Sequence, residues 1–144
     1  MEQLLLSLEQ STLGDAMRTW RWLYPIVNTA HIAGIALLFG SIVSLDLRYL
    51  GLWKSVGADG LARVLVPVAV SGLVLALLAG GMLFTTDARK YAAMPLFQIK
   101  LALISLGVVN AVYLARNRAT TWAALISLAA WTGALICGRF IGYL

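Results

Sequence analysis

Three ionisable side chains sit inside long uncharged stretches of this chain: His31, Lys100 and Arg139. Such groups are costly in hydrocarbon and usually face protein or water, which makes them the first candidates for chemistry. Counted at ~1.5 Å per residue, each falls within roughly 10 Å of the same membrane surface, so they are expected to share one layer. Asn28 precedes His31 by three positions, on the same helical face, and Met82 approaches that level from the end of the second apolar stretch. A neutral imidazole and a thioether are both iron ligands, and two cations suit propionates. The pattern therefore suggests a site for haem b, with His31 on the iron and Met82 or a symmetry-related His31 opposite, and with Gly80 and Gly81 leaving room for a flat macrocycle. Another anionic guest, such as a quinone headgroup or a lipid phosphate, would use the same cations. The competing reading is structural: Asn28 and His31 bond across helices while Lys100 and Arg139 snorkel to headgroups.

A second polar spot lies at the other end of the first apolar stretch, at Asp46 and Arg48. Two residues apart on a helix, they do not face each other, so each should pair with another helix or cap a helix end; Arg63 or Arg116 is the expected partner of Asp46. Asn110 and Ser105 are neutral and are read as interhelical hydrogen-bond partners rather than as the lining of a path. No Asp or Glu falls at a span centre, which weighs against proton-coupled transport. With one histidine, one cysteine and no mid-span carboxylate, neither a nucleophile with its base nor a metal-ligand cluster can be assembled, and an enzyme is the least supported class. Cys137 reads as a packing thiol.

What must position these residues is a set of membrane helices. Four uncharged runs, Trp22 to Leu45, Val64 to Thr86, Leu101 to Ala115 and Ala119 to Gly138, dominate 144 residues that are 61% hydrophobic. A helix needs roughly 20 apolar residues to cross a bilayer, and lipid offers the backbone no hydrogen-bond partner. The expectation is all-α: a single-domain, integral-membrane four-helix bundle, up-down-up-down, with spans near 22–45, 62–84, 96–115 and 120–142. The third reaches full length by starting near Pro95 and including Lys100. Ahead of them, Leu4, Leu5, Leu8 and Met17 recur at helical spacing, which predicts one short amphipathic interfacial helix over about 3–18. Trp20, Trp22 and Tyr24 form an aromatic belt. Gly51 to Gly60 reads as a loop, Pro67 as a residue in the first two turns of the second span, Thr85 to Met94 as a connection, and Arg116, Asn117 and Arg118 as a tight turn.

The formal charge of +5 comes from Lys and Arg dispersed beside the spans, which fits anionic lipid headgroups and argues against nucleic acid. Residues 1–14 carry Glu2 and Glu9 and lack a signal-peptide pattern, so the first span is expected to be the insertion signal. Four spans place both termini on one side, with Arg18, Arg21, Arg89 and Lys90; Arg48, Lys54, Arg63, Arg116 and Arg118 fall on the other. That near-tie leaves orientation open. Small residues recur every four positions at Gly72, Ala76 and Gly80, at Gly107, Ala111 and Ala115, and at Ala130, Ala134, Gly138 and Gly142. Such stripes permit close helix approach, either within the chain or in a homo-oligomer.

Three strings, HIAGIALLFGSIVSLDLRYLGL from His31, YAAMPLFQIKLALISLGVVNA from Tyr91 and WTGALICGRFIGY from Trp131, together resemble a family of small bacterial four-span inner-membrane proteins that carry a domain of unknown function. The resemblance implies a bacterial inner-membrane location and marks His31, Asp46, Arg48, Lys100, Asn110 and Arg139 as pattern positions. Relatives often place another histidine after the third-span asparagine; here the stretch reads NAVYLAR, without one. There is a looser similarity to copper-resistance membrane subunits and to b-type cytochrome helices. Three functions follow as expectations: a haem- or anion-binding redox or accessory subunit around His31, a homo-oligomeric channel or small-solute conduit, and a structural accessory subunit of a larger membrane complex.

Overall fold

A computed structural model describes residues 2–116 and 120–143, all α-helix, turn and coil. Seven helices follow in order among the described residues: α1 (Glu2–Glu9), α2 (Thr12–Thr19), α3 (Leu23–Tyr49), α4 (Ala58–Phe84), α5 (Ala88–Ala93), α6 (Pro95–Arg116) and α7 (Thr121–Ile141). Four of them, α3, α4, α6 and α7, are long and apolar enough to cross a membrane. The all-α class and the four membrane-length helices are thus present. The protein is a small multi-pass membrane protein. The expected turn at Asn117 and Arg118 lies outside the described residues.

The ends of these helices follow local chemistry. Gly51 has φ +104°, in the left-handed region that favours glycine, and it terminates α3. Its N–H donates to Arg48 O (3.1 Å) while the Leu52 N–H donates to Leu47 O (3.0 Å), the paired bonds of a Schellman cap. The Arg48 guanidinium then holds the following turn by donating from Nε to Val56 O at 2.6 Å. Pro95 opens α6, where its missing N–H costs nothing. The Thr120 Oγ1 caps α7 by accepting from Ala123 N at 3.2 Å.

Three features depart from the sequence reading. The amphipathic stretch forms two helices, because Ser11 stops α1 and caps α2, its Oγ accepting from Gly14 N at 3.1 Å. Gly14 packs so tightly on this corner that an added Cβ would stand 2.5 Å from Glu9 O. The second long helix begins at Ala58, with Asp59 in its first turn, so Pro67 lies in the interior of α4 rather than near its start. The connection after α4 contains the short helix α5.

The chain divides into two compact units, 1–38 with 70–94 and 39–69 with 95–144. In the first, the N-terminal part of α3 crosses the C-terminal part of α4 at nearly bare backbone: a Cβ on Gly34 would lie 2.6 Å from Ala76 N, and one on Gly72 2.6 Å from Leu38 N. Two glycines facing each other are what permit this approach. Met17 of α2 is buried with Val27 and Ala79, and Leu23, Ala30, Met82 and Leu83 pack around them. In the second unit α6 and α7 form an antiparallel pair. Trp131 of α7 lies against Gly107, where a Cβ would be 2.6 Å from Cε2, and Ala123, Ala124, Ala130 and Ala134 are buried along α7.

Candidate functional site

The first unit holds the histidine. Its Nδ1 lies 2.8 Å from Ala76 O, one α4 turn before Gly80, and the ring rests directly on Gly80, where a Cβ would meet Cε1 at 2.9 Å. A carbonyl oxygen can only accept, so this contact places a proton on Nδ1. The imidazole and the helices are thereby fixed to one another: the small stripe of α4 exists because α3 backbone and the His31 ring occupy it. The hollow at Gly80, expected to accept a macrocycle, is filled by the imidazole itself. At Gly81 an added Cβ would meet nothing within 4 Å. Asn28, one turn before His31, is half-buried. The Met82 side chain belongs to the apolar cluster around Met17.

At the membrane-boundary end of this unit, Glu9 joins α1 to α5. Its Oε1 accepts from the Arg89 backbone N–H at 2.8 Å and its Oε2 from Arg89 Nε at 3.0 Å. The backbone bond from Arg89, more than the guanidinium, holds this carboxyl below the usual carboxylate range. Arg18 braces the same corner, donating to Glu9 O at 2.5 Å and to Thr86 O at 3.3 Å and pairing with Asp15 at 2.5 Å. Among the described residues the ion pairs are Arg18 with Asp15 and Arg89 with Glu9.

The second unit holds the other sequence candidates. Asn110 Nδ2 donates to Ala123 O at 2.9 Å, a buried bond between α6 and α7. Ser105 bonds back to Leu101 O within its own helix. The Lys100 stem lies across Gly138, with Cε and Nζ each 3.5 Å from where a Cβ would stand. Arg139 is exposed, donates to the Tyr143 hydroxyl and stacks 4.7 Å from that ring's centroid, an arrangement suited to the aromatic membrane boundary. His31, Asn28 and Met82 thus belong to one unit and Lys100 and Arg139 to the other, each placed by the contacts of its own unit.

Asp46 differs from expectation. Arg63 is exposed and neither it nor Arg116 pairs with Asp46; the carboxylate takes a hydrogen bond from Ser127 of α7. Asp46 is 2% exposed and Ser127 4%. The carboxylate turns toward the small-residue face of α7, which the sequence marked as a packing stripe but not as a polar one. Ser127 and Trp131 are the residues that reading missed. The available signal was the i, i+4 placement of a hydroxyl and an indole among alanines on one helical face. Among the described residues no group of three His, Cys, Asp or Glu side chains is arranged to hold a metal ion.

No protein-family model, curated protein or solved structure matches this chain.

Proposed function

We propose that the chain is a structural accessory subunit of a larger membrane complex, in the inner membrane of a bacterium, with both termini on one side. The observation that carries this reading is how the two kinds of surface are used. His31, Asn110 and Asp46 each bond to another helix of the same unit. The apolar faces are left over: no more than 33% of the apolar window of any long helix is buried within the chain. Helices already in lipid associate through shape and polar contacts, so a subunit whose polar side chains turn inward can dock by its apolar faces without exposing charge. The resemblance to small four-span bacterial proteins supports the location. Extraction in native lipid followed by mass measurement tests it. A complex with a second membrane chain is expected; a stable particle containing this chain alone contradicts it.

One observation favours a second reading, a ligand site at His31. A histidine whose Nδ1–H is held on a backbone carbonyl is oriented as coordinating histidines commonly are. The residues fit haem b in part only. Met82 is committed to the apolar cluster and Gly80 to the imidazole, so the second axial ligand would be a symmetry-related His31 in a homo-oligomer; such a group would supply one-electron chemistry. Protein purified from haem-sufficient cells should then show a Soret band that His31→Ala abolishes, and colourless protein contradicts this reading. The conduit reading gains nothing, since Gly72, Gly80 and Gly107 are occupied by neighbours within their own units.

A further inference from the structure

The second unit contains an acceptor and a donor that its packing leaves unmatched. Asp46 Oδ2 and Trp131 Nε1 are both buried and neither has a hydrogen-bond partner. Their side chains are 2% and 5% exposed. Asp46 bonds to Ser127, and Ser127 and Trp131 stand one turn apart on the same face of α7. Trp131 lays Cε2, Cζ2 and Nε1 alike against Gly107 of α6, and one turn further along α6 Asn110 bonds to Ala123, a turn before Ser127.

The groups around the carboxyl decide what it can bind. From α7 it meets Ser127, a neutral hydroxyl; Trp131, next along that face, and Asn110 of α6 are neutral as well. From its own helix the titratable neighbour is Tyr49, which in turn senses Asp59. Arg48 is committed to Val56 O and Lys54 O. No lysine or arginine among the described residues pairs with Asp46. An ionised carboxylate buried among neutral groups, with one oxygen unpartnered, is far less stable than the neutral acid. An anion is excluded by the carboxyl itself, and the indole N–H repels a metal cation.

We propose that Asp46, with Ser127, forms an intramembrane proton-binding site. The carboxylate takes one proton to become a carboxylic acid, and no other bond is made or broken. Protonation turns Oδ2 into a donor and removes the charge that burial disfavours. The site is three residues, less than one helical turn, from the end of α3. This places a neutral, exchangeable acid in a chain that has no carboxyl at a span centre, and it does not depend on the partner or on haem.

Infrared difference spectroscopy on the whole protein in lipid, at neutral pH, tests the assignment. Wild type minus Asp46→Asn should contain a protonated-carboxyl C=O stretch that shifts in D2O. Ser127→Ala, which keeps Asp46 in place, should move that band, so the test survives if Asp46→Asn does not fold. If Asp46→Asn removes only carboxylate bands, or if Ser127→Ala moves no protonated-carboxyl band, the proposal is overturned. Replacing choline chloride with sodium chloride should leave the band unchanged; its conversion to a carboxylate would identify a sodium site instead and overturn the proton assignment.

Discussion

Substituting Gly34 with alanine should force α3 and α4 apart. The new Cβ would lie 2.6 Å from Ala76 N, 2.8 Å from Gly72 O and 3.1 Å from Ala76 Cα. All three are backbone atoms, so no side chain can swing away. Ordinary contact begins at 3.4 Å, and the helices must separate by about 0.8 Å, the difference between 2.6 Å and 3.4 Å. The same movement stretches the 2.8 Å contact between His31 Nδ1 and Ala76 O beyond hydrogen-bonding length. Overpacking of this kind costs about 1–3 kcal/mol. Alanine also favours helix over glycine by up to about 1 kcal/mol, and that gain must be removed from the comparison. Gly81→Ala and Gly40→Ala supply the control, because a Cβ at either position meets nothing within 4 Å. In reversible unfolding in mixed micelles or bicelles, Gly34→Ala should be less stable than Gly81→Ala by about 1–3 kcal/mol. Gly72→Ala, whose Cβ would meet Leu38 N at 2.6 Å, should behave alike. The double variant should cost less than the two separately, since one separation relieves both clashes. Equal stability of Gly34→Ala and Gly81→Ala would refute the close crossing.

Other consequences can be measured in the same preparations. Asn110→Ala should cost about 0.6–2 kcal/mol, because Ala123 O loses its donor inside the membrane; unchanged stability would mean that the 2.9 Å bond is dispensable. Ser11→Ala should weaken the α1–α2 corner by about 1 kcal/mol, seen as faster amide exchange over 12–15, whereas unchanged exchange would deny the cap. The Glu9 carboxyl titrates below its ordinary value of 4.5 in the folded protein, so its contribution is complete above that value and is lost as pH falls through the depressed one. Protection of the Arg89 amide should therefore be flat at higher pH and collapse only under acid, and Glu9→Gln should weaken it throughout; a midpoint above 4.5 would reverse the sign.

Hydrophobic run length disclosed the all-α class and the four long helices because bilayer thickness constrains sequence directly. Local capping was harder to see. Ser11 in an otherwise periodic stretch stops one helix and starts the next, a decision made by a single hydroxyl and by the bare backbone at Gly14. Pro67 reads as a residue of the first two turns because the apolar run begins at Val64, whereas the helix begins six residues earlier, at Ala58. The glycine stripe on α4 was legible as a packing face, but its occupants, Gly34, Leu38 and the His31 ring, depend on register between helices. Charge arithmetic suggested an arginine for Asp46, yet the carboxylate turns to Ser127. Pairing of that kind is fixed by which faces meet, and a single sequence carries little of that information.

Four crossings underlie every conclusion above, and single-cysteine labelling tests them most directly. In a Cys137→Ala background, cysteines replacing Ser11, Asp87 and Tyr143 should react with an impermeant maleimide from one side of sealed vesicles, and a cysteine replacing Lys54 from the other. Labelling of Lys54→Cys from the same side as Ser11→Cys and Asp87→Cys would contradict the crossings by α3 and α4 and the account built on them.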